Sequence, residues 1–146
     1  MSYFMTLVGK PPELPGIEPI EFVPYEEAQV YIRDHAQELI KMDGEPLFLV
    51  HDGETSTSHN FIVDAENDFT KNSSLSGTKF FKLLEGFIAA GNKFRIWWAS
   101  GVPFTKIIQG MQECSSLPEV LSSVQHQVNQ NKDISICYKP AKKTAF

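Results

Sequence analysis

The stretch "LVHDGETSTSHNFIVD", residues 49–64, decides how the rest of this chain is read. It holds two histidines, His51 and His59, three acids, Asp52, Glu54 and Asp64, and a run of hydroxyls. It is either a catalytic or metal cluster or the tip of a β-hairpin. The apolar runs "PLFLVHD" and "HNFIVDA" flank the polar "GETSTS". That pattern predicts two strands joined by a loop from Gly53 to Ser58. In such a hairpin Asp52 faces His59, Val50 faces Phe61 and Phe48 faces Val63, all on one side of the ribbon. Leu47, Leu49, His51, Asn60, Ile62 and Asp64 share the other side. Both sides are apolar away from the turn, which predicts cover on both faces. His51 and His59 then point in opposite directions. Each face offers one histidine and one acid, fewer than the three or four convergent ligands a zinc site needs. Ser56 and Ser58 sit in the loop, and no G-x-S-x-G elbow is present to present a nucleophile. The stretch reads as a hairpin tip, and neither a metal nor a catalytic residue is assigned to it.

A hairpin inside a chain that also contains helices predicts a mixed sheet. Upstream, "YFMTLV" (residues 3–8) reads as a first strand. "GKPPELPG" holds three prolines in eight residues and can be neither helix nor central strand. "IEPIEFV" is extended and suits a sheet edge. From Tyr25 to Lys41, apolar residues recur at helical spacing, with Glu26 and Glu27 in the first turn and Asp43-Gly44 as the stop. Downstream, a second helix is expected from about Ser76 to Ala90, ended by Gly91-Asn92. "KFRIWWA" (residues 93–99) is a strand with Phe94, Ile96 and Trp98 on its core side. "VPFTKIIQGMQE" (residues 102–113) has helical spacing and predicts a short third helix, although Gly110 weakens it. A fourth helix starts with Ser116 as N-cap and Glu119 as N3, a capping box. "DISICYK" is the last strand. No linker or repeat divides the 146 residues, so the expectation is one α+β domain spanning residues 1–146, a mixed and largely antiparallel sheet with helices packed on it.

Composition narrows the function classes. Apolar residues make up 42% and charged residues 21%, as in folded globular chains. No apolar run is long enough to span a bilayer. The N-terminus lacks the basic region and apolar core of a signal peptide, so a cytoplasmic location and no membrane partner are expected. The two cysteines, Cys114 and Cys137, have no CxxC spacing and are expected as free, buried thiols with a packing role. No phosphate-binding or dinucleotide fingerprint occurs, and no cofactor is expected. Ser100 and Gly101, in "ASGVPFTK", outline a strand–loop–helix anion site of a very common kind. The sequence pI of about 5.3 argues against direct nucleic-acid binding.

Charge carries the functional signal. Residues 1–68 hold fourteen acids against three bases, a net charge of −11. Residues 69–146 hold four acids against ten bases, a net charge of +6. A split of this size makes an electrostatic dipole or an acidic face, unless the strands of the two halves interleave and neutralise each other. The reading that follows is an acidic protein-binding module that captures a basic protein partner. Glu13, Glu18, Glu21, Glu26, Glu27, Asp52 and Glu54 contribute to its acidic surface; Glu26, Glu27, Asp52 and Glu54 are the expected contact residues. Trp97 shares its side of the strand with Arg95 and is an anchor for the partner if no second layer covers it. In size, charge and layout the chain is similar to bacterial immunity proteins that neutralise toxic nucleases, and to acidic secretion chaperones. That likeness rests on no motif and transfers no site residue; what it implies is a basic toxin nuclease as the partner. The alternative is a small enzyme or ligand-binding domain with a polar pocket near the 47–64 hairpin, built from His51, Asp52, His59 and Asp64.

Overall fold

The computed structural model describes residues 2–14, 20–27, 45–51, 79–99, 112–129 and 135–140. Among these residues six strands form one sheet: β1 (Ser2–Val8), β2 (Glu21–Pro24), β3 (Leu47–His51), β4 (Lys93–Ala99), β5 (Gln112–Cys114) and β6 (Ser135–Tyr138). Among the described residues two α-helices, α1 (Lys79–Ala89) and α2 (Leu117–Asn129), and a 3-10 turn at Tyr25–Glu27 accompany them. The spatial order is β2-β3-β1-β4-β6-β5. Every neighbouring pair is antiparallel except β5 with β6, which is parallel and bridged by α2. This is the mixed, largely antiparallel α+β sheet that the sequence predicts.

The central strands explain themselves by composition. In β1 five successive residues, Phe4 to Val8, are buried, so both of its faces are covered. β1 lies between β3 and β4, where a near-continuous apolar run is what a doubly covered strand requires. Met5 and Leu7 share one face with Val50, Phe94, Ile96, Ile136 and Tyr138, and this is the face on which both helices pack. Helix α1 contributes Phe80, Leu83, Leu84 and Phe87, an i, i+3, i+4, i+7 stripe; α2 contributes Val120 and Val124. Burying each such side chain stabilises the fold by about 1.5–3 kcal/mol relative to exposure. Phe94 and Tyr138 are direct cross-strand partners and stack with ring centroids 4.9 Å apart.

Helix α1 ends as its sequence predicts. Gly91 has φ +78°, its N–H donates to the carbonyl of Ile88, and the N–H of Asn92 donates to that of Phe87. These two bonds with a left-handed glycine form a Schellman cap. The side chain of Asn92 then ties this corner to the far end of β1. Its Nδ2 donates to the carbonyls of Val8 at 3.0 Å and Lys10 at 3.1 Å, straddling Gly9, whose φ is +92°. Beyond Gly9 the proline-rich connector runs over α1 and seats Leu14 against Gly86, where a Cβ would overlap the leucine side chain. Helix α2 is capped by Ser116, whose Oγ accepts from the Glu119 N–H at 3.3 Å. The Glu119 carboxylate reaches one residue further back than a strict capping box, accepting from the N–H and Oγ of Ser115.

Two expectations are corrected. The hairpin register for residues 47–64 does not hold at β3. Phe48 faces Leu7 of β1 on one edge and Pro24 of β2 on the other, and Leu49 faces Thr6 and Val23. A strand has two hydrogen-bonding edges, and both are filled here, so Phe48 cannot pair with Val63. Residues 112–114 are a strand, not the end of a helix: they pair in parallel with β6. The rest of the predicted third helix, the predicted helix beyond Glu27, the 53–64 half of the predicted hairpin, and Ser100 and Gly101 lie outside the described residues, as does the side chain of Trp98. β2 is a sheet edge, as expected, and its last residue is Pro24, a residue that edge strands tolerate.

Candidate partner-binding surface

Sheet order bears on the charge split. The first three strands in sequence, β1, β2 and β3, occupy one side of the sheet, and β4, β5 and β6 the other, with β1 and β4 as the seam. The two sequence halves do not interleave among the described strands. On the first side and its connections the described charged residues are Glu13, Glu21, Glu26, Glu27 and Glu45 against Lys10. On the strands of the second and their flanks they are Lys93, Arg95 and Lys139 against Glu113, with Glu119 on α2; α1, which carries Lys79, Lys82 and Glu85, packs against Phe22 of β2. Among the described residues, exposed carboxylates of the first half gather at the β2 edge, at Glu21, Glu26 and Glu27.

At the β2 edge the geometry is set by alternation. Phe22 turns towards α1, where its ring lies 6.0 Å from that of Phe87, and packs against the core. Glu21, one residue earlier, takes the opposite face of the sheet. It stands directly across from His51, with Oε2 3.7 Å from the imidazole Nδ1, and its own side chain is 64% exposed. After Pro24 the 3-10 turn carries Glu26 and Glu27, both exposed. Neither has an ion-pair partner among the described residues. Two other carboxylates are engaged: Glu45 lies 3.9 Å from Lys93, across the seam, and Glu113 accepts from Lys139 Nζ at 2.9 Å, which holds the lysine above its usual pKa.

Trp97 is corrected as an exposed anchor. The residue is 0% exposed, and its ring stacks on that of its cross-strand partner Phe4 at 4.3 Å and 20°. It lies on the sheet face opposite the two helices, beside other buried residues: Thr6, Val8, Leu49 and Cys137. A buried indole stabilises the fold and offers nothing to a partner. Its burial could have been read from β1, where Phe4 and Val8 share its face and are too apolar for a solvated one.

Of the remaining predicted site residues, Asp52 and Glu54 lie outside the described residues, as do His59, Asp64 and Glu18. His51, the one described member of the alternative polar pocket, is half-buried beside Glu21. Among the described residues no group of three His, Cys, Asp or Glu is placed to share a metal ion. The cysteines are free and buried, as expected. They sit on opposite faces of the sheet, Cys114 with the helices and Cys137 beside Arg95, so they do not face each other for a disulfide. Burial raises the pKa of the Cys114 thiol against the opposing effect of its 3.5 Å contact with the Ser123 hydroxyl, which keeps it protonated and unreactive.

The fold is an α+β domain with one mixed sheet. Comparison with protein-family models, with curated proteins and with solved structures finds no match to this chain. No helix among the described residues is long and apolar enough to cross a membrane.

Proposed function

We propose that this protein is a stoichiometric binding module that captures a basic protein through its acidic side. The observation that supports the reading is the sheet order: β1, β2 and β3, all from the acid-rich half of the chain, lie together, with Glu21, Glu26 and Glu27 exposed at the β2 edge. The exposed carboxylates of Glu21, Glu26 and Glu27 at the β2 edge are the described part of that surface, and Asp52 and Glu54 are its proposed continuation. A surface of this kind acts first at long range. It raises the encounter rate of an oppositely charged partner, while the buried centre of the contact sets its lifetime. A basic nuclease is the partner class such a surface fits best, because clustered carboxylates can occupy a site built for phosphates. In that case the protein acts as an inhibitor of a toxic enzyme.

The test is affinity capture from an extract of the source cells. The bait is the wild-type protein or a variant with Glu21→Gln, Glu26→Gln and Glu27→Gln. The expected result is one protein of pI above about nine, recovered near one-to-one on wild type and depleted on the variant, the charge signature that phosphate-binding proteins carry. Equal recovery on both baits, or an acidic partner, contradicts the proposal.

A further inference from the structure

No further inference is drawn: the strongest candidate, the outer edge of β2 with the exposed Glu21, Glu26 and Glu27, is an acidic cluster that belongs to the surface already described, and no bound group or buried unpartnered side chain there points to an occupant.

Discussion

Replacing Trp97 separates a core residue from a binding hot spot. The indole is fully buried and stacked on Phe4, across the β1–β4 seam where the two sequence halves of the sheet meet. Cutting a buried tryptophan back to alanine costs about 3–5 kcal/mol, from lost transfer energy plus the cavity left behind. That range already includes the stacked pair, which contributes about 0.5–1.5 kcal/mol beyond area burial. Whole domains are stable by only about 5–15 kcal/mol, so the loss is a large fraction of the total. At roughly 2–4 °C per kcal/mol for a chain of this size, Trp97→Ala should lower Tm by about 6–20 °C. Trp97→Phe should cost less, since a ring remains to lie on Phe4. The assay is urea denaturation followed by far-UV circular dichroism, because the neighbouring Trp98 complicates fluorescence. A double-mutant cycle with Phe4→Leu should show a coupling of about 0.5–1.5 kcal/mol, the value for an aromatic pair. A stability change under about 1 kcal/mol for Trp97→Ala would refute the reasoning, because surface substitutions fall in that range and core truncations do not.

Asn92→Ala should destabilise by about 2–4 kcal/mol, since it removes two donors and leaves the carbonyls of Val8 and Lys10 without them; an unchanged urea midpoint would mean that water replaces the amide. Ser116→Ala should cost about 1 kcal/mol as a lost N-cap. Glu119→Ala should add less, because its bonds to Ser115 are exposed; a calorimetric Tm unaffected by either change would place the start of α2 elsewhere. Burial raises the pKa values of Cys114 and Tyr138. The folded state therefore holds these protons more tightly than the unfolded one, and their contribution is intact below the unfolded values, about 8.5 for the thiol and 10 for the phenol. Stability should fall as pH rises above about 8.5, and Cys114→Ala should flatten the first part of that fall. A wild-type urea midpoint that is the same at about pH 8 and pH 10, or a Cys114→Ala variant that loses as much as wild type between them, would count against this sign.

Local pattern carried much of the fold. The 93–99 strand, the end of α1 at Gly91-Asn92 and the start of α2 at Ser116 are all set by nearby residues, and each stands where the sequence puts it. Strand partnership is different. The unbroken apolar run in "PLFLVH" says that β3 is covered on both faces but not which strands lie beside it. Its true partners, β1 and β2, come from earlier in the chain, whereas the polar "GETSTS" suggested a neighbour just ahead. β5 was hidden because three residues show no period, and the helical spacing of Phe104, Ile107, Ile108 and Met111 ran on into Gln112 and Glu113. The acidic half was legible from counting alone; that it forms one side of the sheet depends on strand order, which no local pattern encodes. The Glu21–His51 pair was illegible for the same reason, since it needs β2 beside β3.

The central claim is electrostatic capture of a basic protein, and association kinetics test it most directly. The partner recovered by affinity capture is flowed over immobilised protein at about 50 mM and 300 mM salt, conditions that bracket the screening length of about 8 Å at physiological ionic strength. The account predicts that the wild-type association rate falls by about tenfold or more across that range, within the 10–10³ span of electrostatic steering. The Glu21→Gln, Glu26→Gln, Glu27→Gln variant should start slower and fall less, with a dissociation rate close to wild type. An association rate that ignores both salt and the three substitutions would contradict the claim.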